Sequence, residues 1–402
     1  MSLRRVPLGA VCTQDRASVK PGHGDELPYL GLEGIESGTG RFVEGDLSKT
    51  PDVPQANSFR FDNRHVLYGK LRPYLNKVAL PTEPGKCSTE IIPLLPAPHC
   101  DRRYLSYFLR APSTVQQIAE RSAGARMPRA DMDFVLSLPI PLPSIDEQQR
   151  IVDVLSRAEG IVRLRRQAQQ KAAALIPAIF VDMFGDPATN PNGWAVHPLS
   201  DVADVISGVA KGRQLTAEES VELPYMRVAN VKDGHLDMAE VKTIRIKKTE
   251  VEKLRIVPGD LLVTEGGDPD KLGRAALWRG EIGLCVHQNH IFKVRGHQGR
   301  SVPEYLRSLA GSAYGKAYFL SVAKKTTGIA SINKTQLSAF PVLLPPLAEQ
   351  EKFKRQVEAV EAIVALQEAA ARKADATFSA LLAEAFTAAA PQVQHEAERA
   401  LA

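Results

Sequence analysis

Apolar positions along this chain follow two patterns, and each pattern occurs twice. From Pro139 to Phe184, an extended proline-rich segment leads into a long run of apolar side chains at helical spacing. The same arrangement returns without gaps 202 positions further along, from Pro341 to Phe386. In register, Leu142-Pro143 recurs as Leu344-Pro345, Glu147-Gln148 as Glu349-Gln350, Ile161-Val162 as Ile363-Val364, Leu164 as Leu366, and Lys171-Ala172 as Lys373-Ala374. A duplication of that length is first a statement about architecture.

Proline disfavours helix for the residue before it and donates no backbone hydrogen bond, so the segments 138–143 and 340–346 are predicted to be extended straps. Ser144 then caps a helix, with Glu147 three residues on, whereas the second copy starts with Pro346 near the first helical position. Each helix has roughly 35–40 residues, long enough to suggest a coiled coil. With Ile151 at position a, the a line reads Ile151, Ala158, Arg165, Ala172 and Ile179, and the d line Val154, Ile161, Ala168, Leu175 and Asp182. The second copy gives Phe353, Val360, Gln367, Ala374 and Leu381 at a, with Gln356, Ile363, Ala370, Thr377 and Glu384 at d. Leu155, Val162, Val357 and Val364 widen the stripe. Two such helices in one chain most simply bury those stripes against each other, antiparallel, each roughly 55 Å long at 1.5 Å per residue. Pro177, opposite Ser379 in the repeat, predicts a kink or a restart in the first helix.

Between the helices the pattern changes to short apolar runs punctuated by Gly, Pro and Asn, the signature of strand-rich globules. The two globular stretches echo each other. Leu223-Pro-Tyr-Met-Arg-Val answers Leu27-Pro-Tyr-Leu-Gly-Leu, the strand near Leu261 answers Val66-Leu-Tyr68, and 288–294 sits where 88–94 sat. In each, two short helices close on a basic loop, 122–129 in the first and 324–334 in the second.

Composition sets bounds on this picture. A length of 402 residues predicts two to three domains, and a hydrophobic content of 44% lets each bury a core. A net charge of +5 permits a polyanionic partner without requiring one. Cys12, Cys87, Cys100 and Cys285 match no metal-ligand spacing and are expected to be reduced thiols in a cytoplasmic protein. No apolar stretch is long enough to suggest a membrane span.

Pro141-Leu-Pro143 with Glu147-Gln-Gln149, Pro345-Pro-Leu-Ala-Glu-Gln350, the segment Met183-Phe-Gly-Asp-Pro to Trp194, and Gly69-Lys-Leu-Arg-Pro-Tyr-Leu-Asn-Lys77 together resemble the specificity subunit of Type I restriction-modification systems. The resemblance covers nearly the whole chain. It implies an α+β fold, with two similar mixed α/β target-recognition domains joined by two long helices forming an antiparallel coiled coil. The corresponding division is 1–143 and 195–345 for the recognition domains, 144–184 and 346–388 for the helices, 185–194 for a linker and 389–402 for a tail. The implied partners are double-stranded DNA, two methyltransferase subunits and restriction/translocase subunits. No cofactor is expected in this chain; S-adenosylmethionine, ATP and Mg²⁺ are expected in the partners. Glu147, Gln148, Glu349 and Gln350, in the repeated helix starts, are the candidate docking residues.

Reading an interrupted sequence needs two heads at a fixed spacing, which a stiff helical pair supplies and a flexible linker does not. Unlike globules predict an asymmetric target. Candidate DNA contacts are Lys70, Arg72, Tyr74, Asn76, Lys77, Arg126 and Arg129 in the first globule. In the second they are Arg213, Asn230, Lys232, Lys271, Arg274, Lys324, Lys325, Asn333 and Lys334. These residue types can address base edges or phosphates, though each alone could equally be a solvated charge or a turn residue.

Catalytic chemistry has no support in the sequence. There is no phosphate-binding G-x-x-x-x-G-K-[ST] loop, Asn190-Pro-Asn-Gly193 lacks the second proline of a methyltransferase pocket, and Asp237, Glu240 and Lys242 read as a charged strand before a nuclease site. Alternation across 285–294 makes His287 and His290 strand residues before metal ligands. The competing class is a protein-interaction scaffold that does not depend on DNA.

Overall fold

Both proline-rich straps are extended, and each is held by the start of its own globule. Arg5–Pro7 pairs antiparallel with Pro139–Pro141, and Val196–Pro198 pairs the same way with Pro341–Leu343. The computed structural model describes residues 4–20, 27–43, 57–124, 126–326 and 328–387; the tail from 389 lies outside them. The chain divides into two compact units, one of residues 1–167 and 368–402, the other of residues 168–367. Each unit contains one globule and part of both long helices.

In the first unit the central strand Val66–Gly69 is buried at all four positions, so its Val-Leu-Tyr-Gly run needs no polar alternation. It lies between Ile91–Pro96 and Val78–Ala79, with Cys12–Gln14 outside Ile91–Pro96, all antiparallel. A second sheet orders Ser18–Val19, Ser58–Phe61, Gly85–Ser88 and Tyr29–Leu30, the last pair parallel. The helix Arg102–Arg110 begins where the Asp101 carboxylate accepts the backbone N–H groups of Arg103 and Tyr104, at 2.8 and 3.0 Å. Pro112 starts the next helix, to Glu120, and Asp131 caps Met132–Ser137.

The second unit repeats this order. Leu261–Thr264 lies between Ile291–Gly296 and Ala275–Leu277, with Ala203–Ser207 outermost. Ser220–Met226 runs parallel to Val286–His287, as Tyr29–Leu30 does to Gly85–Ser88. The helices Pro303–Gly311, Ala313–Val322 and Lys334–Ser338 follow. The second unit departs from the first in the strand Lys242–Lys247, which pairs antiparallel along Ser220–Met226.

The long helices are Ile145–Phe184 and Leu347–Phe386, each 40 residues. In the first unit Ile151, Val152 and Leu155 share a core with Leu382, Ala385 and Phe386, while further along the Arg166 guanidinium meets the Asp375 carboxylate at 2.7 Å. Those two contacts fix an antiparallel pairing there. In the second unit Phe180 and Phe184 pack on Phe353, ring centroids 5.6 and 5.5 Å apart.

The a positions Ile151, Ala172, Phe353 and Val360 are buried, as are Leu155, Val162 and Val357, which widen the stripe, and Ala371 and Ala385, whereas the d positions Leu175 and Ile363 are each 46% exposed and Gln356 is exposed. The helices pack on their globule as well as on each other, so the covered stripe follows the natural 3.6-residue period and the a and e positions, not a strict two-helix seam. Pro177 lies inside the first helix, which continues through it, so the expected restart does not occur. No described helix is long and apolar enough to cross a membrane. All four cysteines are unpaired and buried, and burial pushes each thiol up to about 12.

His287 is a strand residue, fully buried, with Nδ1 donating to the Ile291 carbonyl at 2.9 Å and Nε2 without a partner. Burial lowers its pKa from 6.5 to about 4. Between those values the unfolded chain binds a proton that the folded chain refuses, so stability is complete above the unfolded value and is lost as pH falls toward the folded one. We expect acid to cost the second unit up to about 3 kcal/mol over that window. The denaturation midpoint of wild type minus that of His287→Leu should fall as the pH is lowered from neutral to pH 4; a difference that stays constant would refute this.

Candidate nucleic-acid interface

In each globule, the loop that leaves the central strand is bonded to the loop that follows the second short helix. In the first unit, Arg72 N–H donates to the Pro128 carbonyl at 2.6 Å, Ala130 N–H donates to the Lys70 carbonyl at 2.8 Å, and Leu71 bridges Arg129. Arg72 and Asn76 both adopt left-handed backbone, φ 50° and 51°, an uncommon conformation for side-chain-bearing residues. They frame the short turn Pro73–Leu75 and leave Tyr74 55% exposed. Arg72 and Arg126 are exposed and Lys70 is half-buried; none of the three has an ion-pair partner among the described residues.

The second unit builds the same frame from other residues. Gly266 and Gly267 pair with Ser331 and Ala330, and the strand Ile329–Ser331 pairs in turn with Lys324–Thr326. A Cβ at Gly266 would stand 2.9 Å from the Ala330 carbonyl, so this approach requires glycine. Lys324, Lys325 and Lys334 are exposed, again without an ion-pair partner among the described residues.

Other candidates are committed elsewhere. Lys77 donates from Nζ to the Leu32 carbonyl at 2.7 Å, and Asn76 donates from Nδ2 to the Arg110 carbonyl at 3.2 Å, so both tie the loop inward. Arg129 forks onto Glu90, whose hydrogen bonds hold the guanidinium pKa above its usual value. Lys271 meets Asp268 beside it, and Arg274 is half-buried, its N–H on Thr264 Oγ1 at 3.1 Å. Arg213 pairs with Glu250 at 2.8 Å and Lys232 with Asp237 at 3.6 Å, outside the paired loops. Asn333 caps the helix Lys334–Ser338 in a reciprocal capping box with Gln336.

Two expectations need correction. Asn230 is 2% exposed, and its amide accepts from Arg227 N–H and donates to the Asp237 and Glu240 carbonyls at 2.8 and 2.9 Å. It organises a turn and offers nothing to a ligand. Gln148 and Gln350 are 0% exposed, so they are not docking surfaces. Gln148 accepts from Asp101 N–H and donates to the His99 and Pro143 carbonyls; Gln350 accepts from Val302 N–H and donates to the Arg300 and Pro345 carbonyls. Both glutamines clamp helix to globule. Glu147, bonded to Arg150, and Glu349 stay partly accessible.

The sequence reading missed a second clamp. Glu159 receives the Arg110 guanidinium and, at 2.9 Å, the Tyr107 hydroxyl, while Glu361, its repeat equivalent, receives Arg307 and Arg279, both at 2.5 Å. The signal was available, since both glutamates share one register of the duplication.

Two globules of one plan thus each present cations without ion-pair partners among the described residues on a frame of paired loops. The chain belongs to the family described as the Type I restriction modification DNA specificity domain, which matches residues 35–173 and 191–373. It is a specificity subunit by family, a recognition component and not itself an enzyme.

Among its relatives, the Type I restriction enzyme StySPI specificity subunit of Salmonella potsdam is 24% identical over 83% of this chain and 75% of that protein. The EcoKI specificity subunit of Escherichia coli K12 is 24% identical over 63% of this chain and 57% of that protein. The putative MjaX specificity subunit of Methanocaldococcus jannaschii is 27% identical, over 40% of this chain and only 38% of that protein. Two solved structures share the fold. A chain from work on complex assembly and conformational transition of the type I R-M system has TM-score 0.59 at 21% identity, covering 96% of this chain and 97% of that one. The Type-I restriction-modification S subunit from M. genitalium has TM-score 0.55 at 13% identity, covering 96% of each.

Replacing Asn230 by Ala should cost about 1–3 kcal/mol of unfolding free energy, because buried backbone groups lose their partners. Lys334→Ala, at an exposed position, should stay within about 0.5 kcal/mol. Urea denaturation of the two variants checks the contrast.

Proposed function

We propose that the chain recognises duplex DNA for a type I restriction-modification complex, the paired loops of each unit addressing one half of an interrupted target. The observation that carries this is one backbone frame built twice with different exposed side chains. Arg72, Tyr74 and Arg126 stand exposed on the first frame with Lys70 half-buried beside them, and Lys324 and Lys325 stand exposed on the second with Lys334 just beyond it. Frames that match and side chains that differ fit an asymmetric target, because backbone sets the approach while side chains address base edges and phosphates.

The chain itself performs no chemistry in this proposal. Two methyltransferase subunits and the restriction/translocase subunits supply it, with S-adenosylmethionine, ATP and Mg²⁺ bound by those partners. Glu147 and Glu349, accessible at the repeated helix starts, are the proposed points of partner docking.

Methylome sequencing of host DNA with and without this chain tests the reading; loss of one two-part methylation motif is expected, and an unchanged methylome would refute it. In binding assays with the methyltransferase subunits present, Lys324→Ala with Lys325→Ala should reduce the slope of log affinity against log salt by about 2 if both meet phosphates. Arg72→Ala should instead cost about 1–3 kcal/mol with relaxed preference at a single base position.

A further inference from the structure

The first unit contains a cavity of about 430 Å³ that the recognition of DNA by the paired loops does not use. Its walls are the helix Arg102–Arg110, the turn at Gly38–Arg41, and the portions of both long helices that belong to this unit. Arg41, Arg103, Arg110, Arg163 and Arg166 line it, against the carboxylates of Glu159 and Asp375. The lining therefore has five cations and two anions.

The partners of these groups are unequal to their capacity. Arg166 meets Asp375 at 2.7 Å, Arg103 donates to the Ser156 hydroxyl at 2.6 Å, and Arg41 turns to Glu36 at 3.1 Å. Arg163, exposed on the rim, has no hydrogen bond or ion pair among the described residues. Arg110 is 4% exposed; its Nη2 serves Gly38 and Glu159, but its Nε has no acceptor. Ser106, 2% exposed and also in the lining, has a hydroxyl without a partner. A buried guanidinium N–H and a buried hydroxyl without acceptors are costly unless something supplies them.

The missing complement is an anion rich in acceptor oxygens. Arginines arranged as forks suit phosphate oxygens in particular. The volume exceeds that of a bare phosphate and falls in the range of small-ligand sites. Phe378, half-buried and edge to face with Tyr107 at a centroid distance of 6.4 Å, supplies an aromatic surface, while the Tyr107 ring is taken by the Arg110 guanidinium 5.3 Å from its centroid. We infer that this cavity binds a phosphate-bearing ligand of about nucleotide size, the phosphate held between Arg110, Ser106 and Arg163 and the remainder against Phe378. Such a ligand is either a free mononucleotide or a nucleotide unit of a nucleic-acid strand.

The second unit is not included. Tyr305 matches Tyr104, since each hydroxyl donates to the equivalent strap carbonyl, Leu343 and Pro141. In that register Arg307 stands for Ser106 and Gly311 for Arg110, and Glu361 is already closed by two arginines. The phosphate-facing pair belongs to the first unit.

Calorimetric titration of the full chain with inorganic phosphate, adenosine 5′-monophosphate and a short duplex of random sequence tests the inference. Wild type should bind at least one probe saturably, and Arg163→Glu, at an exposed position, should weaken that binding by about tenfold or more. Ser106→Ala should weaken it less. A response to the mononucleotide assigns the free ligand; a response to the duplex alone, lost in Arg163→Glu but kept in Arg72→Ala, assigns a strand phosphate. Absence of binding to every probe, or affinities unchanged in Arg163→Glu, overturns the inference. Neither result bears on the paired loops, whose residues are different.

Discussion

The structure depends on a simple electrostatic requirement: a fully buried side-chain amide must satisfy two N–H donors and a carbonyl, or its burial is unfavourable. Gln148 and Gln350 meet it in the same way. Each accepts from the backbone at the start of a globule helix, Arg102–Arg110 or Pro303–Gly311, and donates to a carbonyl just before that helix and to a proline near the end of the strap, Pro143 or Pro345. One side chain thus locks strap, helix start and globule in a single geometry. The tyrosine beside it reinforces the lock, its hydroxyl donating to a strap carbonyl at 2.9 Å in the first unit and 2.7 Å in the second. Glu159 and Glu361 then hold the far side of the same helix through arginines that come from different positions. The globules can therefore diverge without losing their seat, because the long helices retain the anchoring groups.

This division explains what was legible in the sequence. Duplication of the straps and long helices was plain from ungapped identity at Leu-Pro, Glu-Gln and Lys-Ala, and Gln148 and Gln350 make equivalent hydrogen bonds in the two copies. Globule equivalence was visible only through alternation, because exposed loop residues are free to change. The a line and the residues that widen the stripe, Val162 and Val357 among them, were read correctly, but the d line was not: a heptad presumes that one helix is the only partner, and here the globule covers a further line of residues, so Leu175 and Ile363 are exposed. Chemical type alone also misled. Asn230 and Gln148 have the side chains of readers and dockers, yet burial, which a sequence does not display directly, commits them to backbone partners.

The paired loops show how a frame and its function separate. In the first unit, hydrogen bonds between Arg72 and Pro128 and between Lys70 and Ala130 set the loops, none using a side chain. In the second, Gly266 permits the approach and a short hairpin replaces the irregular loop. Because backbone makes the frame, substitutions at Arg72, Arg126, Lys324 or Lys325 alter what the surface recognises without dismantling it. Cations with a carboxylate beside them, such as Arg129 on Glu90 and Arg213 on Glu250, have part of their field neutralised already. They contribute less to attraction of an anion than their unpaired neighbours.

Pro177 shows the same priority of packing over local preference. A proline inside a helix forfeits a backbone hydrogen bond and crowds the preceding turn, at a cost of about 3 kcal/mol. Its side chain is exposed, so it disturbs no core. Just beyond it Phe180 is buried among Tyr305, Phe353 and Phe184, with centroids 5.6, 5.6 and 5.2 Å away. Burial of one such ring is worth about 1.5–3 kcal/mol, and each aromatic pair adds about 0.5–1.5 kcal/mol. Those contacts exist only if the helix continues in register past the proline, so continuation offsets the local penalty. A sequence rule that weighs proline by itself predicts a break, whereas the aromatic cluster decides the outcome.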